Sequence, residues 1–245
     1  MHPRVIARAV PAGAADGVGW WWLRHRLSWA TIGRMTQPFF SIILPTYNRA
    51  RLLDRALASV LAQCEPDWEL LVTDDGSIDG TWASLCDWRR RDDRLRCWRH
   101  ANRGQSASRN AMLPHARAPW VVFLDSDDEY EPHHLSRRRE AIESAPDIDL
   151  WISPMRVVGS PLVPCLHHPG ALIHIDHCIG VGMLAIRREA LLAVGGFPEL
   201  DYAEESALMA NLLARGITHR RLQERSYIYH RGHPDTITMN RRKTC

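Results

Sequence analysis

The chain is 245 residues long, 45% apolar and 24% charged, the proportions of a globular protein with length for one large domain or two closely joined halves. Its formal charge of +3 sits at the ends: residues 1–34 carry a surplus of four positive charges and Arg241, Arg242 and Lys243 three more, leaving the body near −4. That balance argues against a basic nucleic-acid groove, and no apolar run approaches the ~20 residues of a membrane-spanning helix.

Residues 1–37 read as an N-terminal extension, disordered or not native to the protein, because Met35 directly precedes the first clear strand. Its basic, Trp-rich stretch (Trp20, Trp21, Trp22 and Trp29) also suits a peripheral membrane contact. Residues 39–44 form a strand stopped by Pro45. Asn48 then offers a helix cap, and Leu52, Leu53, Ala56, Leu57, Val60 and Leu61 recur on one helical face. A second strand, 69–73, runs into Asp74-Asp75-Gly76-Ser77, where Gly76 can take a positive φ and turn the chain. Helix 81–91, strand 95–99, helix 105–115 and strand 120–124 follow. Such alternation predicts a parallel sheet built from right-handed βαβ units.

Strand 120–124, Trp-Val-Val-Phe-Leu, is apolar throughout and therefore buried on both faces. It ends in Asp125-Ser126-Asp127. Carboxylates at that place emerge in the crevice where open α/β sheets bind ligands. Two of them, one residue apart, can offer oxygens to a hard divalent cation that neutralises a diphosphate. Beyond Tyr130 the rhythm continues with helix 133–144 and strand 148–152. Pro154, Pro161, Pro164 and Pro169 then predict a long irregular connection. Order returns with strand 182–186, a helix ended by Gly195-Gly196, helix 204–215 and strand 226–230.

Cys64, Cys86, Cys97, Cys165, Cys178 and Cys245 are scattered without a Cys-x-x-Cys pair, which fits reduced thiols in a cytoplasmic protein. His167, His168, His174, His177 and Cys178 form a cluster whose spacings match no standard zinc motif.

The series 41–48 (SIILPTYN), 72–77 (VTDDGS), Asn102-Arg103-Gly104 with 107–110 (ASRN), and 123–128 (FLDSDD) resembles the family 2 glycosyltransferases. Residues 183–197 and Glu204-Glu205 continue the match, which covers about 39–240. The resemblance implies an inverting enzyme of the GT-A type: an α/β fold with a Rossmann-like, mostly parallel sheet flanked by helices and a smaller acceptor-side half. Residues 38–130 would bind the nucleotide sugar, 131–240 would complete the acceptor and catalytic half, and 241–245 would be a basic tail.

Pro45, Tyr47 and Asp75 would line the nucleobase pocket, with Thr46 and Asn48 near it. Arg109 and Asn110 would begin or support the wall facing the nucleotide. Asp125 would reach the ribose or the metal's hydration shell, and Asp127 would coordinate Mn2+ or Mg2+ directly. Arg231 and His233 would lie over the donor diphosphate. The family's general base is an Asp preceded by an acidic residue. Glu205 stands at that place here, with Glu204 and Asp201 as the other candidates. First-turn carboxylates also complement a helix dipole with no chemistry at all.

The expected reaction is metal-dependent hexosyl transfer from a nucleotide sugar, most commonly UDP-linked in this family, to a hydroxyl of a glycan, lipid-linked or small-molecule acceptor in polysaccharide or cell-wall biosynthesis. The expected location is cytoplasmic, at the inner membrane face if the association is peripheral. A nucleotide-sugar-binding protein that has lost transfer is the alternative, motivated by Glu at the Asp position. A sugar-1-phosphate nucleotidyltransferase would need a Gly-rich loop where this chain has Pro45-Thr46-Tyr47-Asn48.

Overall fold

The computed structural model describes residues 37–165, 168, 170–200 and 203–231. The expectations for the extension up to residue 36 and the tail 241–245 lie outside the described residues. In chain order the elements are β1 (Phe40–Thr46), α1 (Leu53–Leu61), β2 (Trp68–Asp74), α2 (Thr81–Arg89), β3 (Leu95–Arg99), α3 (Gln105–Met112), β4 (Trp120–Phe123), β5 (Glu129–Tyr130) and α4 (His134–Ser144). There follow β6 (Leu150–Ile152), β7 (Met155–Gly159), β8 (Leu162–Pro164), β9 (Leu172–His174), β10 (Leu184–Arg187), α5 (Arg188–Ala193), α6 (Glu204–Ala214), β11 (His219–Arg221) and β12 (Tyr227–Arg231).

Seven strands form the main sheet in the order β11-β6-β10-β4-β1-β2-β3. Its centre is parallel, as the alternation predicts, and β1, β2 and β4 are buried along their whole length. Only β10 runs against its neighbours. A smaller sheet, β5-β12-β7, stands beside it. Helix α1 buries Leu53, Ala56, Leu57 and Val60, the face its spacing marks.

Three expectations need correction. Asn48 does not cap α1, which begins at Leu53 behind Leu52 with no side-chain cap, because the Asn48 side chain accepts from the Ile78 N–H instead. Pro45 does not stop β1, which continues to Thr46. Ile43 accepts from the Leu124 N–H on the β4 side, so Pro45, two residues on, turns its donorless nitrogen to that side beyond the last β1–β4 pair, Ile43–Phe123. The connection after Pro154 is not irregular either. It holds β7 and the antiparallel hairpin β8–β9. Their pattern is faint because β7 buries only Met155 and the hairpin only Val163 fully.

The register sets Thr46 opposite Asp74, and Ile43 opposite both Leu71 and Phe123, so the loops after β1, β2 and β4 emerge along one sheet edge. Strand β6 also leaves at this edge. The antiparallel β10 enters from it, with Leu184 opposite Ile152 and Ala185 opposite Val122.

Candidate functional site

The loops after β1 and β2 are stitched together by backbone amides. Asn48, in a left-handed conformation (φ 51°), donates its N–H to Ser77 Oγ at 2.9 Å, and its Oδ1 accepts from the Ile78 N–H at 2.9 Å. Asparagine tolerates that conformation better than other side chains. Thr81 Oγ1 accepts from the Arg49 N–H at 2.8 Å. Tyr47 stands at this rim with 43% of its surface exposed, and Pro45 and Thr46 lie buried behind it.

Asp75 is buried, and its two oxygens accept from the Arg103 N–H at 2.7 Å and the Gly104 N–H at 2.9 Å. It therefore clasps the loop entering α3; His100 Nδ1 lies 3.3 Å from its Oδ1, and Oδ2 retains a lone pair for another donor. Gly76 has φ 80°, and a Cβ there would meet the Asn102 backbone nitrogen at 2.8 Å. We expect Gly76→Ala to lower stability by about 1–3 kcal/mol, measured by thermal or urea unfolding.

Arg109 is the centre of the arrangement. It is 1% exposed, and its guanidinium donates to Asp125 Oδ1 at 2.9 Å, Glu204 Oε1 at 3.0 Å and Gln105 Oε1 at 3.3 Å. Burial opposes its charge, but Asp125, Glu205 and Glu204 outweigh that and raise its pKa. Arg109 thus joins the acidic loop after β4 to the first turn of α6, instead of presenting its charge to solvent. Asn110 supports this wall through its backbone contacts: its Nδ2 donates to the Phe197 carbonyl and its Oδ1 accepts from the Phe197 N–H, both at 2.8 Å. Phe197 in turn packs edge-on against Phe123, with ring centroids 5.2 Å apart.

The acidic loop holds three carboxylates in four positions. Asp125 is partly exposed. Burial first, and the Asp125 charge second, push the Asp127 carboxyl above its ordinary pKa. Asp125 gives one oxygen to Arg109, and its other oxygen together with the Asp127 carboxylate offers hard donors that would suit Mg2+ or Mn2+. Among the described residues no group of three or more His, Cys, Asp or Glu side chains is gathered for a metal. An ion here would draw its remaining ligands from diphosphate and water, the usual habit of Mg2+.

Asp128 escaped the sequence reading. It is 1% exposed, accepting from the Tyr227 hydroxyl at 2.7 Å and the His230 N–H at 2.8 Å. The only sequence signal was an acidic residue more than one cation needs.

Glu204 and Glu205 open α6, behind Ala203 in a left-handed conformation (φ 60°), a strained entry for a residue with a Cβ. Glu204 is committed to Arg109. Glu205 is the freer of the two. Burial, reinforced by the Glu204 charge and opposed by Arg109, raises its pKa from 4.5 to about 7.

Arg231 is partly committed within the fold, with only Nη1 engaged while Nε and Nη2 stay buried without a hydrogen-bond partner among the described residues. Buried at the end of β12, its Nη1 donates to the carbonyls of Ser160, at 2.9 Å, and Leu162, so it ties β12 to the corner before β8. His233 and Asp201 lie outside the described residues. Of the His167–Cys178 cluster, which matches no zinc motif, the rings of His174 and His177 are 6.4 Å apart, His168 Nδ1 lies 3.8 Å from Cys165 Sγ outside the cluster, and His167 is outside the described residues.

The family model for Glycosyl transferase family 2 matches residues 41–162. TuaG of Bacillus subtilis, a glycosyltransferase named for teichuronic acid biosynthesis, is 31% identical over 189 residues, 74% of this chain and 75% of that protein. A Campylobacter jejuni protein named as a GalNAc(5)-diNAcBac-PP-undecaprenol beta-1,3-glucosyltransferase is 37% identical over 94 residues, 38% of this chain and 30% of that one. Among solved structures, S. aureus TarS 1-349 in complex with UDP-GlcNAc superposes with a TM-score of 0.70 at 24% identity, covering 82% of this chain and 60% of that one. The chain thus spans less than two thirds of the last two.

Proposed function

The chain belongs to glycosyl transferase family 2, and from that premise we propose that it inverts a sugar during transfer from a nucleotide diphosphate, UDP first, to an acceptor hydroxyl on a glycan or lipid-linked carrier. What carries this reading is the bridge through Arg109, which brings the Asp125–Asp127 pair and the first turn of α6 into one site.

Tyr47 offers an aromatic face to the base, and Asp75 accepts from a base N–H with the remaining lone pair of Oδ2. Asp125 and Asp127 hold the divalent ion, which neutralises charge on the departing diphosphate. Arg109 fixes Asp125 from behind, so the carboxylate faces the ligand in one orientation. Glu205 takes the proton of the attacking hydroxyl. A pKa near 7 suits a general base better than the ordinary glutamate value, because such a carboxylate is both available and basic at neutral pH.

The names of the relatives point the acceptor toward cell-wall and undecaprenol-linked glycans. No helix among the described residues is long and apolar enough to cross a membrane.

Incubation with a panel of UDP-sugars, Mn2+ and undecaprenol-linked acceptors should release UDP. No nucleotide release with any donor would reject the proposal. Asp127→Asn should abolish the stimulation of that release by Mn2+, read as activity against metal concentration. An unaltered metal response would remove Asp127 from the metal site.

A further inference from the structure

The acidic loop faces a problem of its own making. Asp125, Asp127 and Asp128 are like charges on a four-residue turn, and their repulsion favours splaying the turn. The turn's own bond, from the Asp128 N–H to the Asp125 carbonyl at 3.0 Å, is modest restraint. Further restraint comes from α1 and α3, where Arg55 donates to the Asp127 carbonyl and Arg109 to Asp125 Oδ1 at 2.9 Å, and from β12, about a hundred residues further along the chain. The Asp125 N–H donates to Tyr227 Oη at 3.2 Å, and the Tyr227 hydroxyl donates onward to Asp128 Oδ2 at 2.7 Å. The other Asp128 oxygen accepts from the His230 N–H at 2.8 Å. One hydroxyl thus holds both ends of the turn.

The ring that carries this hydroxyl is itself fixed. Tyr227 is 1% exposed and sits opposite Tyr130 in the β5–β12 pairing. Its ring lies edge-on to the Tyr130 ring, with centroids 5.7 Å apart, and Tyr130 Oη donates to the Phe123 carbonyl at 2.7 Å. On another side Gly182 leaves just enough room, since a Cβ there would lie 2.2 Å from the ring.

We propose that Tyr227 is a positioning residue for the divalent ion, fixing the Asp125–Asp128 turn so that the carboxylates of Asp125 and Asp127 converge on one place. It rests on the donor-site reading above. Asp128 is then the anchor of the turn: it is 1% exposed, and each of its oxygens accepts from a donor on β12. Groups that orient metal ligands commonly change metal affinity by about 10–100-fold when they are removed.

The test is Tyr227→Phe in the full chain, which deletes the hydroxyl and keeps the ring. Mn2+ is titrated in the presence of UDP by calorimetry, and UDP is titrated separately in EDTA. We expect Mn2+ to bind about 10–100-fold more weakly to the variant, metal-free UDP binding to be unchanged, and turnover to recover at saturating Mn2+. A purely structural role would weaken both binding events together, and saturating metal would not restore turnover; either result overturns the proposal. Unchanged Mn2+ affinity overturns it too.

Glu129→Gln serves as the control, since Glu129 pairs with the His230 side chain, 2.8 Å from its Nε2, without touching the turn's hydrogen bonds. Its Mn2+ affinity should match the wild type. An equal loss there would mean general loosening of the hairpin and would refute the role of Tyr227. Should Tyr227→Phe fail to fold, Asp128→Asn probes the same turn from its other end, with weakened Mn2+ binding expected and unchanged binding overturning the proposal. Wild-type protein that binds neither Mn2+ nor UDP would instead defeat the donor-site reading itself, whatever Tyr227 does.

Discussion

Glu205→Gln is expected to lower the rate of transfer by about 10²–10⁴-fold and to leave nucleotide-sugar affinity as it is, measured by UDP release and by donor calorimetry. The side chain keeps its size and loses only the capacity to accept a proton. In the wild type the rate should follow the ionised fraction of Glu205. It rises with pH through about 7 and levels off above it. Near-normal turnover in the Gln variant, or a flat profile between pH 5.5 and 8 (a window about two units wide around the raised pKa), would remove Glu205 from the role of base.

The same raised pKa has a stability consequence of definite sign. A carboxyl whose folded pKa lies above its unfolded one favours the folded state fully below the unfolded value. That contribution is lost as pH rises through the folded value. Ionised Glu205 is therefore a burden on the fold at pH 8. Glu205→Gln should melt higher than the wild type at that pH, and the margin should disappear toward pH 5. Thermal melts of the two proteins across that range test this. The site would then be one where stability is given up for chemistry.

Arg109→Met is expected to be the most damaging single change to the fold of the site. The Arg109 guanidinium is the only cation bonded to the Asp125 and Glu204 side chains among the described contacts. Met fills similar space and leaves both carboxylates without their counter-charge. Removing one partner of a buried pair typically costs about 3–5 kcal/mol. In a chain of this size that corresponds to a fall in Tm of about 10 °C. Transfer activity should fall with it, since the acidic loop and the base lose their common fastening. Arg109→Lys should recover only part of the loss, because a single ammonium does not span two carboxylates as a planar fork does. A Tm within about 2 °C of the wild type for Arg109→Met would show that the bridge is not what joins the two elements.

The order of strands and helices was legible because most of them follow strong local rules. β1, β2 and β4 are near-continuous apolar runs, and α1 shows its buried face as a helical repeat. The carboxylates at the ends of β2 and β4 could also be read, since a polar residue just past a buried strand has one place to go.

What was not legible is pairing at a distance. Nothing local says that Arg109 faces Glu204, that Asn110 grips the Phe197 backbone, or that Asp128 waits for Tyr227. Those partners come together only when α6 and β12 fold back on the sheet. The contact of Arg231 with the carbonyls of Ser160 and Leu162 was hidden for the same reason. The strands β7, β8 and β9 were missed because they lie at an exposed margin, where alternation in the sequence fades.

The one reversed strand has a practical corollary. Because β6 exits and β10 enters at the same margin, the excursion from Ser153 to Met183 begins and ends at the sheet edge that carries Asp125, and its neck is closed by the Ser153 N–H on the Met183 carbonyl at 2.9 Å. Such an excursion is a cassette. It can lengthen, shorten or be exchanged between relatives while the seven-stranded frame keeps its register, provided β7 still finds β12. Grafting it between homologues and assaying the chimaeras against a panel of acceptors tests whether it carries acceptor preference.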